Sequence, residues 1–309
     1  MANLKELAKR KEVLTGGHRL CAGCAAPIII RQMSLAQEIP LVVGCATGCL
    51  EVSTTVHPFT AWKCSYIHCA FENVAATVSG AEAAYRSLKN RGKLKEEFRF
   101  VAIGGDGGTY DIGLQSLSGM LERGHRVLYL CYNNEAYMNT GIQRSSATPK
   151  GAHTTTAPVG EVRVGKKEYP KDLTGVVVAH RIPYTAQASP SHWNDLITKS
   201  EKALSVDGPS FLNVISPCPL GWAYPSDKTI EIAKLAVDTC FWPLFEVENG
   251  TTWKLNYKPA NKKPITEYLK TQGRFRHLLR PENKTVVEEI QKRIDDDWAA
   301  LLKKCGAQS

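Results

Sequence analysis

The sequence predicts an α/β protein: a mostly parallel sheet flanked by helices, with a C-terminal extension. Three observations carry this reading. An apolar run (Phe98, Phe100, Val101, Ile103) passes through the turn Gly104-Gly-Asp-Gly-Gly108 into an amphipathic stretch (Ile112, Leu114, Leu117, Met120, Leu121), giving strand, turn, helix. A second apolar run, Val127-Leu-Tyr-Leu-Cys131, follows and ends at Asn133-Asn134. The alternation resumes with a strand at Val176–Ala179, a helix at Ser191–Leu204 and a strand at Phe211–Ile215, and breaks at Phe241. Residues 1–240 are therefore expected to form the α/β domain, and 241–309 an extension that packs on a partner subunit.

Taken in order, residues 1–16 read as a short charged helix or an arm. Cys21-Ala-Gly-Cys24 is a turn leading into an apolar helix (Ile28, Ile29, Ile30, Met33), and the strand Ile39–Gly44 runs into Cys45-Ala-Thr-Gly-Cys49. Residues 50–70 hold Glu51, His57, Trp62, Cys64, His68 and Cys69, lone groups that suit a core or an interface. Ala70–Leu88 is a small-residue helix ended by Arg91-Gly92. Residues 138–158, polar and without periodicity, follow the Asn pair directly and read as the wall or lid of an active site. The helix at Ser191 opens with a serine cap and has Asp195 near its first turn. The strand ending at Ile215 meets Ser216-Pro-Cys218-Pro, where two prolines fix the backbone around one cysteine. A helix over Lys228–Val237, short aromatic pieces and a helix from about Glu282 to Lys304 complete the chain.

Composition narrows the class. The chain has 309 residues, 43% of them hydrophobic, enough for a full core. It lacks any run of 18 apolar residues and its N-terminus has no apolar signal core, so no membrane span and a cytoplasmic location are expected. Ten cysteines in a reducing compartment are ligands or buried hydrophobes rather than disulfides. The net charge is +9, and residues 251–309 carry thirteen Lys/Arg against seven Asp/Glu. Without a nucleic-acid module, that basic excess suits an acidic protein surface, not DNA or RNA.

The chemistry concentrates at the glycine turn. Backbone N–H groups and a helix N-terminus there face an anion. Asp106 would repel a bare phosphate, and a divalent cation between the two removes the conflict. Asn133 and Asn134 offer neutral oxygens to the same cation from the next strand end. Gly-Asp-Gly followed at this distance by Asn-Asn resembles the thiamine diphosphate (TPP) fingerprint. Cys21 and Cys24 allow a zinc knuckle, a redox dithiol or an iron–sulfur site, whose last ligand often comes from far along the chain.

From Gly17-His-Arg-Leu-Cys21 to Gln272-Gly-Arg-Phe-Arg276, the sequence resembles the β subunits of pyruvate:ferredoxin oxidoreductase (pyruvate synthase), in the 2-oxoacid:ferredoxin oxidoreductase family. The likeness is strongest at Ala46-Thr-Gly-Cys-Leu-Glu-Val52, Ile103–Glu122 and Tyr137-Met-Asn-Thr-Gly141. It implies the TPP-binding fold, TPP, Mg²⁺ and a 4Fe–4S cluster held by Cys21, Cys24, Cys49 and Cys218. It implies Asp106, Asn134 and the Ala136 carbonyl as Mg²⁺ ligands, and Gly105, Gly107 and Thr140 as the diphosphate cradle. Thr47 and Gly48 are then cofactor-binding, and Asn139 points at the thiazolium and the substrate. The implied partners are the other subunits, ferredoxin, a 2-oxoacid and coenzyme A; the glutamate that pairs with the aminopyrimidine comes from another subunit. Ala25, Asn133 and Ala136 depart from the usual pattern of pyruvate enzymes, which keeps oxalate and 2-oxoisovalerate open as substrates. Two other classes are a non-redox TPP decarboxylase, which has no use for the four cysteines, and a basic zinc-containing interaction protein.

Overall fold

Among the described residues eight strands make one sheet: β1 (Leu41–Ala46), β2 (Ser65–Cys69), β3 (Arg99–Gly105), β4 (Val127–Asn133), β5 (Tyr184–Ala188), β6 (Ser210–Ile215), β7 (Phe245–Glu248) and β8 (Thr252–Leu255). Their order across the sheet is β2-β1-β3-β4-β6-β5-β7-β8. The first six run parallel, and β7 and β8 are antiparallel. The computed structural model describes residues 3–161 and 163–306; the outermost ends of the two expected segments, 1–2 and 307–309, lie outside the described residues.

The helices are α1 (Leu4–Leu7), α2 (Ala25–Ser34), α3 (Cys49–Thr54), α4 (Val74–Asn90), α5 (Leu114–Glu122), α6 (Leu173–Val178), α7 (Trp193–Ser205), α8 (Pro219–Trp222), α9 (Thr229–Asp238), α10 (Ile265–Leu269) and α11 (Lys284–Lys304). Alternate residues of each central strand face opposite layers. Val101 and Ile103 of β3 point towards α2 and α7, in a cluster with Ile29, Ile30, Met33 and Leu196. Phe100 and Ala102 point the other way, towards α4, α5 and α6, with Val74, Val78, Leu117 and Val177. Parallel strands covered on both faces read as continuous apolar runs, which is why β3, β4 and β6 are legible in the sequence.

Two local readings need correction. Val176–Ala179 is not a strand but lies in and just after α6. The Asp172 carboxylate accepts the Gly175 N–H at 2.8 Å and starts a helix there. Leu173 and Val177 are buried and Val176 is exposed, a helical rather than an alternating pattern. The strand of that unit is β5, a few residues later. Nor does Ser191 cap α7: its hydroxyl meets Ser189 Oγ at 2.8 Å and His192 Nδ1 at 3.0 Å, and His192 holds the cap position.

After Phe241 the chain stays on its own sheet. β7 pairs with β5 and β8 with β7. The far end of α11 packs Leu301 against Phe245 and Val247. No helix among the described residues is long and apolar enough to cross a membrane.

Candidate active site

Strand order reverses between β1 and β3, since β1 leads outward to β2 and β3 leads outward to β4. A parallel sheet opens a crevice at such a point, beyond the carboxyl ends of its strands. Four of those ends deliver the expected site residues. Thr47-Gly-Cys49 follows β1, Asp106 follows β3, Asn134 follows β4 and Cys218 stands three residues past β6.

Asp106 is fully buried. Its Oδ1 accepts the Asn134 N–H at 3.1 Å and its Oδ2 accepts the Ser145 hydroxyl at 2.5 Å. Burial pushes its pKa up to about 7, with the Ser145 hydrogen bond pulling it back. One end of the Asn134 amide lies 2.9 Å from Asp106 Oδ1 and 2.9 Å from the Ala136 carbonyl oxygen. With nitrogen at that end, the amide donates to both. With oxygen there, three oxygens converge, an arrangement that needs a proton on Asp106 or a cation between them. Ligands of an octahedral Mg²⁺ at about 2.1 Å stand about 3 Å from their neighbours, so this trio fits a hard divalent cation.

The backbone of that turn is held from several sides. Glu135 sits in the left-handed region at φ 65°, a conformation that needs support in a non-glycine residue. Its N–H donates to Asn133 Oδ1 at 3.0 Å, and its carbonyl accepts the Thr148 hydroxyl at 2.6 Å. Asn133 therefore serves the turn, its amide nitrogen donating to Tyr110 OH at 3.0 Å. The long loop after it is ordered from within: buried Lys166 donates to the carbonyls of Ser145, Ser146 and Thr148. Burial lowers the Lys166 pKa to about 8.

Above the turn is a cavity of about 150 Å³ lined by Thr47, Gly48, Cys49, Gly105, Gly107, Asn134, Ala136, Asn139 and Thr140, walled by Phe71, Tyr132, Tyr137 and Met138. All but Asp106 and Asn133 of the residues expected to bind TPP and its cation line it, and Asp106 is buried between the lining residues Gly105 and Gly107. Gly107 must be glycine, because a Cβ there would stand 2.4 Å from the Tyr137 ring. That ring is fixed by Asp111, which accepts its hydroxyl at 3.0 Å. Gly107–Ile112 is wound as a wide π-type turn before α5, an uncommon winding concentrated at functional sites.

Cys21, Cys49 and Cys218 all lie near enough to Cys24 for their charge to disfavour its thiolate, and Cys21 and Cys218 act on Cys49 in the same sense. Burial, then the neighbouring cysteines, push Cys24 to about 12 and Cys49 to about 11. Groups that favour a thiolate oppose this. The Gly221 N–H donates to Cys218 Sγ at 3.3 Å, the Ala26 N–H acts on Cys24, and the Asn139 side chain on Cys49. Gly23, at φ 74°, lets the Cys21–Cys24 turn lie directly on the backbone of Ser226, where any Cβ would collide with its carbonyl. Among the described residues no three His, Cys, Asp or Glu side chains close up as a single-ion site. A cuboidal cluster spreads its four thiolates wider than one ion does. Cys45, Cys69 and Cys131 are buried in the sheet away from this group.

Residues 43–214 match the family of thiamine pyrophosphate enzymes through its C-terminal TPP-binding domain. Over 310 residues the chain is 56% identical to pyruvate synthase subunit PorB of Thermotoga maritima, covering 97% of this chain and 95% of that one. The chain belongs to the PorB family of pyruvate synthase-type 2-oxoacid:ferredoxin oxidoreductase subunits. PorB of Methanocaldococcus jannaschii is 52% identical over 94% of this chain and 97% of that one. Ketoisovalerate oxidoreductase subunit VorB of Pyrococcus abyssi is 44% identical over 95% and 93%. A solved 2-oxoglutarate:ferredoxin oxidoreductase from Magnetococcus marinus shares the fold, with TM-score 0.56 and 20% identity over 76% of this chain and 81% of that one.

Several residues of this PorB-family site were beyond sequence reasoning. Ser145 on Asp106 lies in the long loop, which the sequence marks only as a whole. Trp222 donates its indole N–H to the Asn134 carbonyl at 2.8 Å from 88 residues away. Arg274 reaches Glu135 from 139 residues away. Such contacts depend on how distant segments fold together, which no local pattern encodes.

Proposed function

We propose that this chain is the TPP- and 4Fe–4S-binding catalytic subunit of a cytoplasmic pyruvate:ferredoxin oxidoreductase. The enzyme converts pyruvate and coenzyme A reversibly to acetyl-CoA and CO₂ and passes the electrons to ferredoxin. The observation that carries this reading is the place of Cys49, which lines the cofactor cavity and also lies near enough to Cys21, Cys24 and Cys218 for their charges to interact. A carbon centre and an electron acceptor served by one residue is what an oxidative decarboxylation requires and a non-redox one does not.

Bound TPP supplies an electron sink for the carbon that loses CO₂, and a bound 4Fe–4S cluster accepts electrons singly. The chain's part is binding and orientation. Asp106, the Asn134 side chain and the Ala136 carbonyl hold Mg²⁺, and Gly105, Gly107 and Thr140 admit the diphosphate. Phe71, Tyr137 and Met138 keep water from the cavity. Asn139 lines the cavity and hydrogen-bonds Cys49, a place from which it orients the reacting carbon. Cys21, Cys24, Cys49 and Cys218 hold the cluster, their N–H donors favouring the thiolate form.

Pyruvate is favoured over branched oxoacids because the PorB relatives match at 56% and 52% and the ketoisovalerate relative at 44%. The test is anaerobic purification with the partner subunits and an assay of ferredoxin reduction against pyruvate, 2-oxoisovalerate, 2-oxoglutarate and oxalate. Pyruvate should give the highest kcat/KM and require coenzyme A. A preference of tenfold or more for another oxoacid would replace pyruvate, and absence of iron in the purified complex would overturn the redox reading.

A further inference from the structure

Arg274 is a buried cation placed between the two halves of the site. Its Nη2 binds Glu135 Oε2 at 2.6 Å, and both side chains are almost fully removed from solvent. Its Nε donates to Gln272 Oε1 at 2.9 Å, which fixes the guanidinium plane. That plane lies 3.9 Å from the centre of the Trp222 ring. Trp222 in turn binds the Asn134 carbonyl, and it belongs to α8, whose N-cap is Cys218. One guanidinium thus touches the residue between Asn134 and Ala136 and, through Trp222, the short helix that begins at a cluster cysteine.

We propose that Arg274 is a positioning residue that locks the cation-binding turn to the Cys218 loop and raises the reduction potential of the cluster held there. The inference rests on the TPP and 4Fe–4S reading above. Electrons added to a cluster increase its negative charge, and a fixed buried cation nearby favours that state. The Trp222 backbone N–H donates to the Cys218 carbonyl at 2.9 Å, so the guanidinium stacked on the Trp222 ring is one helical turn from that cysteine. Glu135 neutralises the same cation from the side of the turn. The two members of one ion pair should therefore move the potential in opposite directions. A merely structural contact has no reason to do that, since breaking it from either side loosens the same packing.

The experiment uses the complete complex, purified anaerobically, with the midpoint potential of the cluster held by this chain read by EPR redox titration and TPP affinity by fluorescence quenching. Arg274→Gln should lower the potential and weaken TPP binding severalfold. Glu135→Gln should raise the potential. Arg274→Lys should keep the potential near wild type while still weakening TPP binding, because the charge remains and the planar stack is lost. If Arg274→Gln does not fold, the rise in Glu135→Gln and the retained potential in Arg274→Lys still decide the matter. Shifts of the same sign in Arg274→Gln and Glu135→Gln, or no shift in either, overturn the proposal. A wild-type complex without iron or TPP would instead overturn the functional reading on which it rests.

Discussion

Asp106 shows what a single residue gives up for the site. A fully buried carboxylate with a pKa near 7 is protonated in the folded, cation-free chain and ionised in the unfolded chain above about pH 4. The folded pKa is the raised one, so stability is lost as pH climbs from about 4 to 7, by on the order of 4 kcal/mol. Cation-free protein should therefore melt lower at pH 7 than at pH 5, and Mg²⁺ with TPP should reverse that order. A melting temperature flat across this range would show that Asp106 is not held as described. Asp106→Ala removes the conflict and should fold well while losing TPP and Mg²⁺ retention; stoichiometric TPP in that variant would remove Asp106 from the site. Asp106 and Asn134 were legible because a carboxylate in a glycine turn and an Asn pair at a strand end are each chemically costly. Asn133 was misleading for the same reason, since its amide serves the backbone. The cysteines divide in the same way. Cys218→Ser should lose iron as severely as Cys21→Ser, whereas Cys131→Ser, Cys240→Ser and Cys305→Ser should keep full iron per folded chain. Equal loss in both groups would mean a different ligand set.

At the scale of elements, legibility followed burial on two faces. β3, β4 and β6 are central and buried along almost their whole length, each around an apolar run, so the sequence shows them plainly. β2 is an edge strand of mixed exposure, and its five residues, Ser65-Tyr-Ile-His-Cys69, carry no run to read. α6 has three valines in a row, and a capped turn overrides their β preference. The antiparallel pair β7–β8 broke the α/β rhythm, which is why the chain after Phe241 read as an extension. The π-type turn after Asp106 has no sequence signal beyond its glycines, yet it brings Gly107 under the Tyr137 ring. Gly107→Ala tests that packing. The added methyl must displace a ring anchored at Asp111, a cost of about 1–3 kcal/mol, and the ring walls the cofactor cavity. TPP affinity should fall at least tenfold with little change in circular dichroism. Unchanged affinity would mean that the Tyr137 ring yields and the close approach is not needed.

For the whole molecule, the question is whether this chain can complete the cofactor site. The phosphate end is supplied by residues already placed, but the aminopyrimidine end of TPP needs a carboxylate in a mainly apolar pocket to promote loss of the thiazolium proton. Among the described residues no carboxylate side chain lines the cavity. The three glutamates nearest in sequence are engaged or turned away. Glu51 is buried, accepting from Thr55 Oγ1 at 2.6 Å and paired with His68 Nδ1 at 2.5 Å. Glu135 is bound to Arg274, and Glu72 is exposed at the start of the loop into α4. PorB is by name one subunit of several, so the missing group has an obvious source in another chain. Purified by itself, this chain should bind TPP weakly and turn over no 2-oxoacid, and adding the partner subunits should restore both. Oxoacid decarboxylation by the isolated chain at the rate of the complex would make one of these glutamates catalytic, and loss of turnover in Glu51→Gln would then identify it as the glutamate on the same helix as Cys49.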